Sequence, residues 1–199
     1  MNRNLTVKHL SDEELASRVA AGSCPLFEEL VSRYSVRLFY FLRHRTETDQ
    51  DIEDMVQETF LKAFRSIDRF NPEWRFSTWL YTIATRSAIS RHRSNKKMKP
   101  YPTAASSLPG PEEIFIQKQE SQNIWELASL LPEKEYEVLW LRYAEDMSIK
   151  EIARVTKKKP VSVRVLLYRA RLNLAKKIDQ SAFSKKFAGT PVKHKLSFL

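Results

Sequence analysis

The stretch Ser148–Lys177 constrains the fold of this chain most. Ser148, followed three residues later by Glu151, is a capping box and predicts a short helix over Ile149–Thr156. Ile149, Ile152, Ala153 and Val155 then face inward. Lys157, Lys158 and Lys159 form a polar break, and Pro160 stands where the first turn of a helix tolerates a missing N–H. Beyond it Val163, Leu166, Leu167, Ala170 and Leu174 recur at three- and four-residue spacing and so share one face. A short helix, a tight turn and a longer basic helix make the helix-turn-helix pattern.

Charge fits that pattern. Between Lys150 and Lys177 ten Lys or Arg stand against one acid. The whole chain of 199 residues carries a net charge of +10, an excess suited to a polyanion partner. Cys24 is the only cysteine, so no disulfide can form within the chain and no thiolate cage can hold a metal, which suits a reducing cytoplasm. Met1–Leu10 lacks the apolar core of a signal peptide, and no run approaches the roughly 18 apolar residues of a membrane span. His9, His44, His92 and His194 are dispersed, and neither a phosphate loop nor a nucleophile–base set can be assembled. The expectation is a protein that is not an enzyme, with no metal, no cofactor and no small-molecule substrate.

In chain order, Ser11 with Glu14 is another capping box, opening a helix to about Ala20. Pro25 starts a long helix reaching about Arg45, with Phe27, Leu30, Val31, Tyr34, Leu38, Phe41 and Leu42 as its apolar stripe. Thr48 is the expected N-cap of a third helix over about Asp49–Ile67. Ile52, Val56, Phe60, Ala63 and Ile67 form its inner face, and Asp51, Asp54 and Glu58 line the opposite one. Glu47–Glu58 holds six acids and no Lys or Arg inside a basic protein. Acids near a helix N-terminus are favoured by its dipole, and a solvated face is the bland explanation; a docking surface for a basic protein is the functional one. Met55 is read as an apolar contact at its centre.

A fourth helix is expected over about Ser77–Lys97, with Phe76, Trp79, Leu80, Ile83 and Ala84 as core. Arg75–Pro111 holds seven Lys or Arg and no acid, and Arg86, Arg93 and Lys97 form one narrow stripe with Thr82 and Ser90 between them. Cations and hydroxyls in a stripe suit phosphates. Tyr81 and Trp79 are candidates to stack on an unpaired base, though the spacing of Trp79 with Ile83 favours the core. Met98–Pro111 carries four prolines and reads as an extended linker. Glu112 and Glu113 mark a helix start; Ile124, Leu127, Ala128, Leu130 and Leu131 carry an apolar face, and Tyr136, Leu139, Trp140 and Tyr143 another. The expectation is an all-α chain of two small helical domains, 8–97 and 112–179, each with its own core, joined by an extended Pro-rich linker at 98–111. The basic tail at 180–199 is expected to be disordered.

The run LPEKEYEVLWLRYAEDMSIKEIARVTKKKPVSVRVLLYRARLNLAKKI resembles region four of an extracytoplasmic-function (ECF) sigma factor of the sigma-70 family. DIEDMVQETFLKAFRSIDRF followed by RFSTWLYTIATRSAISRHR resembles region two of the same family. Both stand in the right order, and together they cover about residues 10–178. The resemblance implies a sigma factor that binds core RNA polymerase and directs promoter-specific initiation. It implies that Asp51, Asp54, Gln57 and Glu58, supported by Met55 and Phe60, bind the clamp of the largest polymerase subunit. It implies that Arg86, Arg93 and Lys97, with Arg75 and Ser90, serve the minus-ten promoter element. Lys158, Ser162, Arg164, Val165, Arg169 and Arg171 are then the candidates for the minus-thirty-five element. Of these, Arg164 suits a guanine edge and Val165 a thymine methyl. Region four would also grip the flap of the second-largest subunit, and an anti-sigma factor is a possible partner.

The chain departs from the family pattern in places. The turn usually carries a glycine near Lys157 and a hydroxyl cap near Lys159; both are lysines here. An asparagine often stands where Arg86 does, and an acid where Ser90 does. The rival is a conventional helix-turn-helix repressor whose amino half senses a ligand or dimerises. It has no need of the acidic helix and would bind duplex operator without polymerase.

Overall fold

The computed structural model describes residues 9–45, 48–95 and 119–188. Among them eight α-helices follow one another and no strand occurs. They are α1 (Asp12–Ala20), α2 (Phe27–Leu42), α3 (Asp49–Arg65), α4 (Phe76–Asn95), α5 (Gln119–Ala128), α6 (Glu133–Tyr143), α7 (Ile149–Thr156) and α8 (Pro160–Ala188). None is long and apolar enough to cross a membrane.

Local chemistry explains where they begin. Ser11 and Glu14 exchange both bonds of a capping box, and Ser148 and Glu151 do the same at α7. Thr48 caps α3 by accepting from the Asp51 N–H. Pro25 falls in a 3-10 turn over Cys24–Leu26, so α2 proper starts at Phe27. The linker 98–111 and the helix start at Glu112 and Glu113 lie outside the described residues. So does the tail beyond Ala188; the part of the tail before it continues α8 nine residues past position 179.

Helices α1–α4 form a bundle, with α3 against both α2 and α4. Helices α5–α8 form the second half, with α6 and α7 against α8. Most of the expected inner faces hold: Leu30, Leu38, Phe41, Ile52, Val56, Leu80, Val163 and Ala170 are all buried, whereas of the face expected over 124–131 Ala128 and Leu131 are buried and Ile124 and Leu130 are exposed. The expectation of two separate cores does not hold. The buried residues of both halves form one continuous cluster. The reason is aromatic. Trp140 and Tyr136 of α6 meet the first half: Trp140 stacks on Tyr40 at 6.1 Å, and its indole N–H points at the Tyr81 hydroxyl at 3.4 Å. The Tyr136 hydroxyl donates to the Tyr40 carbonyl at 2.9 Å. Tyr143 turns outward instead of joining them.

Candidate nucleic-acid interface

The helix-turn-helix is formed as its spacing predicts. Lys157 takes the left-handed conformation (φ 53°) that closes α7, and the Lys157 and Lys158 N–H groups both donate to the Ala153 carbonyl. Glycine adopts this conformation without cost, and here a lysine adopts it. With Val163, Leu167 and Ala170 turned inward, α8 presents an outer face whose centre is apolar: Val161, Val165, Tyr168 and Leu172 are all exposed. Arg164 and Arg171 flank that stripe on one side, Ser162 and Arg169 on the other, all exposed. Of the six positions considered for duplex reading, Ser162, Arg164, Val165, Arg169 and Arg171 thus surround one surface. Lys158 is half-buried and leans toward Glu137 at 4.0 Å. Val161, Tyr168 and Leu172 were not anticipated, although their shared face is plain once the inner stripe is fixed.

The acidic face of α3 is partly neutralised. One Arg91 nitrogen from α4 donates to Asp51 at 2.7 Å and to Asp54 at 3.3 Å. Glu58 pairs with Lys62, whose ammonium also reaches Ser87 at 3.1 Å. These bonds tie α3 to α4 across 37 and 40 positions of sequence, which no local spacing foretells. Gln57 stays on the face, half-buried. Met55 and Phe60 do not: they are 3% and 7% exposed, because they point into the α2–α3–α4 core. The apolar contacts that α3 offers outward are Leu61 and Phe64, 55% and 39% exposed. With Phe27, Val31, Val56 and Phe60 they line an open groove of about 680 Å³ along the start of α2.

On α4, Arg86 and Ser90 are exposed. Arg93 falls in its last turn, and Lys97 lies outside the described residues. Tyr81 is fully buried, with its hydroxyl donating to Glu145 at 2.6 Å, so it is no open stacking platform here. Trp79 is packed between Phe70 and Phe76, as its spacing suggested. An aromatic that is exposed beside α4 is Trp74, in the loop before it, with the Arg154 guanidinium 4.3 Å above its ring. Arg75, in the same loop, donates to the Asp146 carbonyl at 2.8 Å.

The contact between the halves is electrostatic as well as aromatic. Arg37 of α2 holds Glu145 at 2.9 Å, and Arg45 holds Glu137 at 2.6 Å and Glu133 at 3.3 Å. Glu145 has no exposed side-chain surface. Burial pushes the Glu145 and Glu137 carboxyls above the ordinary range, opposed by Arg37 at the first and Arg45 at the second. His44, beside Arg43 and Arg45, sits 3.9 Å from the Tyr136 ring, and burial lowers its pKa.

No group of His, Cys, Asp and Glu among the described residues could hold a metal. A helix-turn-helix with a basic second helix, the acidic helix α3 and an all-helical frame suit a DNA-binding factor that also offers a surface to protein. The chain matches the models of Sigma-70 region 2 over residues 30–98 and of Sigma-70, region 4 over residues 121–174. It is 30% identical over 185 residues to the ECF RNA polymerase sigma-E factor of Haemophilus influenzae, covering 86% of this chain and 97% of that one. It is 28% identical over 176 residues to the ECF RNA polymerase sigma factor BldN of Streptomyces coelicolor, covering 85% of this chain and 66% of that one. Its fold is similar to that of CnrH, solved in complex with the cytosolic domain of CnrY, with a TM-score of 0.59 at 24% identity over 85% of this chain and 97% of that one. The protein belongs to the ECF sigma factors of the sigma-70 family. It is a non-catalytic subunit that binds core RNA polymerase and promoter DNA and directs transcription initiation.

Proposed function

We propose that the two halves divide the work of initiation as follows. Region 2 (8–97) docks on the clamp of the largest polymerase subunit through Asp51, Asp54, Gln57 and Glu58. Leu61 and Phe64 provide the apolar contact that the buried Met55 and Phe60 cannot. The groove beside them suits the apolar edge of an amphipathic helix whose basic residues meet the acids. Arg86, Ser90 and Arg75, with Arg93 and Lys97, serve the minus-ten element. Trp74 is the aromatic on which an unpaired base stacks. Unpaired bases need such capture, because unstacking costs a few kcal/mol per base.

Region 4 (112–179) reads the minus-thirty-five element with α8. The observation that carries this reading is its outer face, where four exposed apolar side chains, Val161, Val165, Tyr168 and Leu172, line up in one stripe between arginines. Apolar groups meet thymine methyls, Arg164 suits a guanine edge, and Arg169, Arg171 and Lys158 suit phosphates. The flap of the second-largest subunit is the further polymerase contact of this half. An anti-sigma partner and a cytoplasmic location belong to the same reading; CnrH, whose fold is similar, was solved in complex with the cytosolic domain of CnrY.

The two elements lie roughly 25 base pairs apart, or about 85 Å of duplex. In the described state the halves touch, so reading both elements requires them to part. A connection over 96–118 reaches about 80 Å at most when fully extended. Polymerase therefore sets the spacing, and two weak contacts gain avidity through it. The test is transcription in vitro with purified core polymerase on a library of start regions. Promoter-dependent RNA on addition of the chain is expected; tight binding to duplex DNA without polymerase, with no gain in initiation, would establish the repressor reading instead.

A further inference from the structure

What region 4 offers to region 2 is chemically like a short stretch of single strand. Glu137 and Trp140 project from α6, and Glu145 follows its C-terminal end: a carboxylate, a flat aromatic ring and a second carboxylate in series. Region 2 receives them with groups that suit nucleotides. Arg45 takes Glu137 at 2.6 Å, the Tyr40 ring takes the Trp140 indole with only 23° between planes, and Arg37 takes Glu145 at 2.9 Å. Arg43 lies over Tyr40 as well, its guanidinium 5.7 Å from the ring centre. The ion-pair partners of Arg37 and Arg45 among the described residues all come from region 4. Among the described residues of its own half, this face of α2 and of the Arg43–Arg45 turn that follows it is cationic and aromatic and gives Arg37 and Arg45 no ion-pair partner. Guanidinium groups alternating with an aromatic ring are what single strands bind to, phosphate on cation and base on ring.

We propose that Arg37, Tyr40 and Arg45 form a binding site for unpaired DNA, and that Glu137, Trp140 and Glu145 occupy it in the closed chain as a mimic of the strand. The proposal rests on the reading of region 2 as a promoter-melting module and adds to it a contact that neither α4 nor its loop supplies. Closure by α6 then does two things at once. It satisfies the arginines in the absence of DNA, and it prevents free sigma from capturing single strands away from polymerase. Arg154 over Trp74 acts in the same direction at the neighbouring loop, because it covers one face of the exposed indole. Separation of the halves on polymerase uncovers the α2 face when unpaired DNA becomes available.

The test uses the full-length chain without polymerase and a fluorescein-labelled single-stranded oligonucleotide of mixed sequence, read by anisotropy. The paired substitution E137Q/E145Q should bind about tenfold more tightly than wild type. Its dependence of log affinity on log salt should steepen by about 1.4, the value for two added phosphate contacts at roughly 0.7 each. Adding R37A/R45A should return both quantities to the wild-type values. Unchanged affinity in E137Q/E145Q, or a gain that survives R37A/R45A, would overturn the proposal. So would an equal gain in affinity for a poly-glutamate peptide, which would make the face a site for acidic protein. Hydrogen exchange on the wild-type chain removes any ambiguity from misfolding of the variants. Saturating oligonucleotide should speed exchange in 133–143, and no change there would count against the idea. Promoter-directed transcription by wild-type holoenzyme checks the wider reading separately, since it can succeed whether or not this site exists.

Discussion

Lys157 is the position at which a single substitution should improve the protein. Its φ of 53° lies in the left-handed region, where a Cβ crowds the neighbouring carbonyl at a cost of roughly 1–2 kcal/mol. Glycine removes that crowding but has more freedom to lose on folding, which takes back roughly 0.5–1 kcal/mol. The bonds to the Ala153 carbonyl come from backbone N–H groups and survive the change. The net gain for Lys157→Gly is then about 0.5–1 kcal/mol. At about 2–4 °C per kcal/mol for a chain of this size, Tm should rise by about 1–4 °C. Thermal unfolding followed by circular dichroism at 222 nm reads this directly, and the urea midpoint should move the same way without a change in slope. Lys157→Ala controls for the loss of charge, since it keeps the Cβ, and should show no gain. A Tm for Lys157→Gly equal to or below that of Lys157→Ala would refute the reasoning.

Other outcomes follow from the same coordinates. Leu61→Glu lies on an exposed position and should leave Tm unchanged, Phe64→Glu should lower Tm because it loses the edge contact with Phe27 at 5.1 Å, and each should weaken core polymerase binding about tenfold, as read by anisotropy of labelled sigma; undiminished binding would remove them from the docking face. Arg91→Ala releases Asp51 and Asp54, so stability should fall by about 1 kcal/mol, discounted for the partial exposure of the pair, while association with core at low salt becomes faster; stopped-flow mixing measures the rate, and a slower one would argue against an attractive acidic face. For pH, His44 has a lowered folded-state pKa, so its contribution is present above the ordinary 6.5 and is lost as pH falls through the folded value. Glu137 and Glu145 have raised values and contribute in the opposite sense, fully below 4.5 and less as pH rises through theirs. The stability of His44→Gln should therefore approach that of wild type as pH drops below 6.5, measured by denaturant unfolding across pH 5–8, whereas a constant difference would show that His44 does not titrate in the packed state.

Much of this architecture was legible because periodicity reports which face of a helix is inside. Val163, Leu167 and Ala170 declared the inner face of α8, and the Ser148–Glu151 and Ser11–Glu14 pairs declared where helices start. Periodicity does not say what an inner face packs against. Tyr136 and Trp140 were recognised as inward, yet nothing local told that their partners were Tyr40 and Tyr81 in the other half. Glu137 and Glu145 carry no local sign of their burial, since their arginines lie 92 and 108 positions away. Met55 misled because it neighbours the acids in sequence, whereas a helix turns about 100° per residue and carries it from the rim to the core. Trp74 carries no such signal, being a lone aromatic in a loop without a repeating pattern.

The continuous core has a consequence for how the molecule tolerates being cut. Its two halves adhere through indole, phenol and guanidinium groups that owe nothing to the backbone joining them. A protease nick at 96–118 should therefore leave the fragments co-eluting as one species, and the two pieces synthesised as separate chains should find each other in solution. Such a split pair would be a bimolecular version of the same factor, whose reassembly becomes a question of concentration.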